Sequence, residues 1–249
     1  MNTIIKRIKN NVILTVLITL FLGVTIFFTS KFLSDITIPF LKNYFELDDF
    51  YTKNTVFKFY ILILSIITIL FLNKGSLKSY GFNLSKNTNY FKMTFISIGI
   101  ILGSMIVGGI LFMGILSHLF PTENTNVFPK NESLIEMVLT IWIWSSICEE
   151  VLVRGLMQSF MNHLNNIKIF RLSLPVIISG IFFGSMHLSL LSAGMGIWFV
   201  CFILFNTTII GLLTGFYREK SRSLIPPILI HIIANIIGAI PLIIQMFIS

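Results

Sequence analysis

Charge is what this sequence has least of. Only 11% of its 249 residues are Asp, Glu, Lys or Arg, 55% are hydrophobic, and the mean hydropathy is +0.90. An average soluble domain carries about 25% charged residues, so a soluble globular protein is excluded and the chain reads as an integral membrane protein. Acidic residues are scarcer than basic ones, 10 against 18, for a net charge of +8. In a soluble protein that balance would suggest nucleic acid. In a membrane protein Lys and Arg gather in cytoplasmic loops, so the lipid bilayer is the expected partner and nucleic acid is not. The two cysteines, Cys148 and Cys201, both lie inside apolar segments, where they serve as small hydrophobes rather than as a disulfide. There is no internal period that would mark a repeat array, no hydrophilic linker that would set off a soluble domain, and no H-E-x-x-H segment. The chain reads as one membrane domain, residues 1–249.

What is present is a succession of apolar runs near the roughly 20 residues that a spanning helix needs. They predict seven transmembrane helices: Val12 to Phe32, Val56 to Leu72, Phe91 to Leu119, Leu134 to Phe160, Leu172 to Leu191, Gly194 to Tyr217 and Leu224 to Phe247. The fold class is therefore all-α, a polytopic transmembrane bundle. The first run follows a basic stretch, as in a signal peptide, but it exceeds a signal h-region in length and ends in no A-x-A-like site; a retained helix is expected. The stretch DITIPFLKNYFELDDFY before the second run mixes charge and aromatics, as an interfacial segment would. Gly99, Gly103, Gly108 and Gly109 on the third run suggest close helix packing.

Basic residues alternate along the chain. Lys6, Arg7 and Lys9 precede helix one; Lys74, Lys78 and Lys86 separate helices two and three; Lys168 and Arg171 separate four and five; Arg218, Lys220 and Arg222 separate six and seven. In the other loops Lys31, Lys42, Lys53 and Lys58 are offset by Asp35, Glu46, Asp48 and Asp49, and PTENTNVFPKNES is scarcely basic. The positive-inside rule then places the amino terminus in the cytoplasm and the carboxyl terminus outside.

Against this background the fourth run, WIWSSICEEVLVRGLMQSF, stands out. A charge at the bilayer centre costs about 2.5 to 3.5 kcal/mol on insertion scales and marks a functional hypothesis. Glu150 and Arg154 are four apart and can neutralise each other on one helix face, which leaves Glu149 without a partner on its own helix. Cys148, beside two carboxylates that disfavour a thiolate, is packing. The fifth run carries His187 with Phe183 one turn earlier, and the seventh carries His231 with Asn235 one turn later. Each of these polar groups alone could be a satisfied interhelical hydrogen bond. Together, Glu149, His187, His231 and Asn235 should face one another inside the bundle. A buried carboxylate near a histidine can hold and deprotonate water, and a second histidine with an amide can donate to an oxyanion. By helical rise His187 lies about 22 Å from its helix's inner end and His231 about 10 Å from its own, a difference that tilts and kinks absorb in part. His118 and His163, near helix ends, read as interfacial.

Glu149-Glu150 with Arg154 (EExxxR), Phe183 with His187 (FxxxH) and His231 with Asn235 (HxxxN) resemble, in order, the signatures of the CAAX-protease and bacteriocin-processing (CPBP/Abi) family of intramembrane endopeptidases. The resemblance covers roughly Leu134 to Gly238. It implies a four-helix catalytic core at about 134–248 and accessory helices at about 12–119. It also implies an intramembrane endopeptidase in which Glu149 activates water, His187 positions it, and His231 with Asn235 stabilises the oxyanion, with Glu150, Arg154 and Phe183 in support. A zinc ion held by Glu149, His187 and His231 is the alternative chemistry. An amide is a poor zinc ligand, so metal-free hydrolysis without a cofactor is favoured. The substrate implied is a membrane-associated or secreted peptide or protein. The Lys, Asn and Ile richness suggests an AT-rich bacterial genome, hence a bacterial cytoplasmic membrane and processing of a secreted peptide. Two other readings carry over. One is a non-catalytic membrane partner for bacteriocin immunity or for regulating a sensor or transport protein; the other is a proton-coupled transporter. Nothing in the sequence fixes an oligomeric state.

Overall fold

The computed structural model describes residues 7–42, 50–85, 88–122 and 134–248. Residues 43–49 of the charged and aromatic stretch, 123–133 of the PTENTNVFPKNES loop, Lys6 and Lys86 lie outside them.

Among the described residues are seven long helical runs, besides a helical turn at 7–9 and a 3-10 turn at Asn162–Leu164. Helix α1 is Val12–Lys42, α2 is Phe50–Leu72, and α3 is Tyr90–Gly108, continued as a π-helical segment Gly109–Leu116 and a last turn Ser117–Leu119. Helix α4 begins at Leu134–Glu136, runs as a π-helix over Met137–Ser145, tightens to α over Ser146–Glu150, and widens again to π over Val151–Gln158. A hairpin of β1, Lys168–Ile169, and β2, Leu172–Ser173, leads into α5, Leu174–Ser185. That helix passes through a 3-10 turn, Met186–Leu188, to Ser189–Ser192. Helices α6, Ile197–Ser221, and α7, Ile225–Ile248, complete the bundle.

Five of these helices are long and apolar enough to cross a membrane: Val12–Leu41, Tyr51–Leu72, Tyr90–Leu119, Leu174–Ser192 and Ile197–Ser221. The other two runs expected to span are also helical: α4 is broken into α and π segments and carries Glu149, Glu150 and Arg154, and α7 runs over Ile225–Ile248. The stretch expected to lie at the interface is largely helical where described, because α1 continues through Pro39 to Lys42 and α2 starts at Phe50, six residues before the predicted start.

Local chemistry explains several helix ends. Ser173 caps α5 by accepting from the Val176 amide, with Pro175 in the first turn, where its missing N–H costs nothing. Pro226 and Pro227 open α7 in the same way. Helix α6 ends on Arg222 with φ 57°, and the turn into α7 is pinned from outside. Leu224 donates to the Gly81 carbonyl at 2.9 Å and Ser223 to the Asn83 carbonyl at 2.6 Å. Gly81, at φ +93°, also lies so close to the Arg218 guanidinium that a Cβ would sit 2.8 Å from it. The loop after α2 thereby sets the position of α7.

The tightest helix crossing is α5 on α6. A Cβ on Gly180 would stand 3.0 Å from the Leu212 nitrogen, one on Gly211 would stand 2.8 Å from the Gly180 carbonyl oxygen, and one on Gly184 would overlap Thr208. The glycines expected to pack closely on α3 divide. Gly108 is tight against Phe205 and Asn206, whereas Gly99, Gly103 and Gly109 meet nothing within 4 Å. The apolar core runs from Ile26, Ile61 and Ile69 through Leu152, Val153, Leu156 and Met157 to Phe182, Phe183 and Ala234. Outward rows such as Phe21, Phe28 and Phe32 remain exposed, as lipid-facing residues would.

Candidate active site

The site is built around the short α segment Ser146–Glu150. Wide π turns on both sides rotate the flanking residues relative to a regular helix, a device that recurs at functional sites. Ser145 and Ser159 hydroxyls donate to carbonyls five residues back, those of Thr140 and Arg154, at 2.9 Å each, filling positions that the wide turns leave free.

Glu149 and Glu150 are both buried. The Glu150 carboxylate lies 3.3 Å from the Arg154 Nε, the i,i+4 contact expected from spacing. The contact is electrostatic, because the Arg154 N–H groups are donated elsewhere: to Thr214 Oγ1 at 2.7 and 3.1 Å, the Gly211 carbonyl at 2.9 Å and the Ser179 carbonyl at 3.2 Å. A guanidinium with five donors in a fixed fork suits this dispersed set of acceptors. The close Gly180–Gly211 crossing is what brings carbonyls of both α5 and α6 within its reach.

His231 joins the two glutamates. Its Nδ1 lies 3.2 Å from Glu150 Oε1 and its Nε2 lies 3.6 Å from Glu149 Oε2. The Glu150 carboxylate is acceptor-only when ionised, so Nδ1 carries the donated proton and Nε2 faces Glu149. Phe183 is the wall on which the histidines stand. Its ring makes edge contacts with His187, centroids 5.6 Å apart, and with His231, 5.1 Å apart, while the Arg154 guanidinium carbon sits 5.5 Å from its centroid. The 3-10 turn at Met186–Leu188 presents His187, whose Nδ1 lies 3.2 Å from the Phe183 carbonyl. His187 is near enough to Glu149 and His231 to interact with both electrostatically. The difference in depth expected between the two histidines is thus bridged by one aromatic ring.

Asn235 sits one turn beyond His231 and, like it, faces α4. Its amide donates to Ser146 Oγ at 3.0 Å and to the Ile141 carbonyl at 3.3 Å, tying α7 to α4. His118 and His163 are exposed near helix ends, as expected, and Cys148 is fully buried in packing. Both cysteines are free.

Sequence reasoning missed Lys58. This residue of α2 is buried, and its ammonium donates to Glu149 Oε1. The same helix turns Asn54 toward α4, donating to Ser145 Oγ at 2.9 Å, and its Thr55 carbonyl accepts from the Trp144 indole at 3.2 Å. A helix that the sequence placed outside the core therefore reaches the central carboxylate. Among the described residues no three His, Cys, Asp or Glu side chains group closely enough to hold a metal ion, and the Lys58 ammonium stands against Glu149 Oε1.

No curated protein and no solved structure matches the chain. A family does: residues 131–237, which hold Glu149, Glu150, Arg154, His187, His231 and Asn235, match the model of the Rce1-like type II CAAX prenyl endopeptidases. Over this segment the chain is similar to that family of CAAX-type endopeptidases.

Proposed function

We propose that the protein is an intramembrane endopeptidase in which Glu149 is the base that activates water. The observation that carries this reading is the company of Glu149. Cationic or hydrogen-bonding groups from three other helices, Lys58, His187 and His231, converge on a carboxylate inside the membrane domain. An intramembrane carboxylate so surrounded is held in a fixed orientation, which a base requires.

In the proposed reaction a water held between Glu149 and His187 attacks the carbonyl carbon of a peptide bond and gives a proton to the Glu149 carboxylate. The carbonyl π electrons move to oxygen, and His231, protonated on both ring nitrogens and oriented through its Nδ1–H by Glu150, donates its Nε2–H to that oxyanion. The C–N bond then breaks as the proton passes from Glu149 to the departing amine. Glu150 and Arg154 act through His231 and the α4–α5–α6 contacts. Asn235 has its amide on Ser146 and Ile141; in this arrangement it keeps α7 in register with α4, and donation to the oxyanion requires its release from Ser146. Lys58 compensates the Glu149 charge and holds its position. The same Lys58–Glu149 contact favours the metal-free version, because a zinc ion would have to displace the ammonium.

The substrate is proposed to be a membrane-associated or secreted peptide, cut in a cytoplasmic membrane with the amino terminus inside. Substitution tests the proposal. Glu149→Gln and His187→Ala, inserted at wild-type levels, should each abolish cleavage, and retained cleavage in either would refute it. A membrane partner acting by binding alone should survive both changes. If a chelator abolishes cleavage and added zinc restores it, the metal-free version fails.

A further inference from the structure

A second concave region lies away from the site, between α3 and α6. It is a cavity of about 560 Å³ whose lining sorts by polarity along its length. At one end stand Lys92, two residues into α3, and Lys220, one residue before the end of α6. Beyond them the lining is apolar, with Ile96 and Ile100 on α3 and Ile209 and Phe216 on α6. At 100° per residue, Ile209, Phe216 and Lys220 fall on the face of α6 opposite Gly211 and Thr214, which receive Arg154. The cavity is thus independent of the catalytic reading.

Three features define what fits it. First, it opens sideways: Ile96, Ile100 and Phe216 are 41%, 39% and 42% exposed, on helices long and apolar enough to span the bilayer. Second, it has the depth of one leaflet. Lys92 to Ile100 rises about 12 Å and Ile209 to Lys220 about 16 Å at 1.5 Å per residue, against about 15 Å for half a hydrocarbon core. Third, its polar end is cationic. Neither lysine is in an ion pair among the described residues, and the neighbouring Glu219 is engaged by the Ser173 hydroxyl. We infer that this groove is a binding site for one anionic phospholipid, its phosphate between Lys92 and Lys220 and an acyl chain against Ile96, Ile100 and Phe216. A zwitterionic lipid would bring a second positive group toward the two lysines, and free phosphate would leave the apolar length unfilled.

The test uses the full chain purified in detergent and stripped of lipid, with bound lipid counted by native mass spectrometry and stability followed by thermal unfolding. The probes are dioleoyl phosphatidylglycerol, dioleoyl phosphatidylcholine and inorganic phosphate alone. The phosphatidylglycerol should bind about tenfold or more tightly than the phosphatidylcholine, and phosphate alone should not raise the unfolding midpoint. Each of Lys92→Gln and Lys220→Gln should weaken the preference about fivefold, and the double variant should lose it. Ile100→Trp, which fills the groove, should reduce retention of both lipids. Equal binding of the two lipids by the wild type, an undiminished preference in both single lysine variants, full retention in Ile100→Trp, or stabilisation by phosphate alone would each overturn the assignment.

Discussion

Lys58 and Glu149 are 91 residues apart in the chain and meet inside the bundle as an ion pair, with 10% and 8% of their side chains exposed. Removing one partner of such a pair strands the other charge, at a cost of roughly 3–5 kcal/mol. Lys58→Met should therefore lower the unfolding midpoint in detergent clearly. Adding Glu149→Gln to it should recover much of the loss, because the stranded charge goes too, and Lys58→Arg should stay near wild type. A midpoint unmoved by Lys58→Met would mean that the pair contributes nothing.

Arg154 distributes its hydrogen bonds over Thr214 and the carbonyls of Gly211 and Ser179, on two helices. A lysine keeps the charge but not the planar fork. Arg154→Lys is expected to destabilise by about 2–5 kcal/mol despite its conserved charge. Thr214→Val, which removes one acceptor, should cost about 1–3 kcal/mol. Chemical or thermal unfolding of the two variants checks both the size and the order.

The glycines separate by location. Gly180→Ala and Gly211→Ala place a Cβ 3.0 Å or less from backbone atoms of the facing helix and should destabilise by about 1–3 kcal/mol as overpacking. Gly99→Ala and Gly103→Ala meet open space and should be neutral or stabilising by about 0.4–1 kcal/mol. Matched expression and unfolding measurements distinguish the two pairs.

Phe183 touches His187, His231 and Arg154 at once. Phe183→Ala should cost about 3–5 kcal/mol in stability and remove the shared support of both histidines. Phe183→Tyr, which keeps the ring, should retain more of both fold and cleavage. A peptide-release assay beside an unfolding curve separates the two effects: if the alanine variant lost stability but cleaved at the wild-type rate, the ring would not position the histidines.

The helical bundle and the grouping of Glu149, His187 and His231 were legible because charges and histidines in apolar runs must find each other. The Glu150–Arg154 contact was legible because it is local, four residues apart on one helix. Lys58 was not. The hydropathy of the second run begins at Val56, which leaves Lys58 at the edge, among loop charges balanced by Asp48 and Asp49. The helix in fact begins at Phe50, which carries Lys58 about 12 Å inside it, where its partner is a carboxylate 91 residues on. The partners of Asn235 were hidden for a related reason. Spacing stacks it with His231, but its amide is claimed by Ser146 and Ile141 of α4, a tertiary contact that no spacing within α7 reports. The π turns of α4 and the hairpin at Lys168–Ser173 likewise leave no mark in hydropathy. In the hairpin, Phe170 and Arg171 take positive φ, 49° and 70°, without the glycine or asparagine that announces such turns.

Whether Glu149 is the base of a peptide-bond hydrolysis is tested by a mass-spectrometric comparison of peptides from cells carrying the wild-type protein and Glu149→Gln at equal membrane levels. At least one peptide with a new terminus should disappear in the variant while its uncut precursor accumulates. Identical peptide sets from the two would contradict that role.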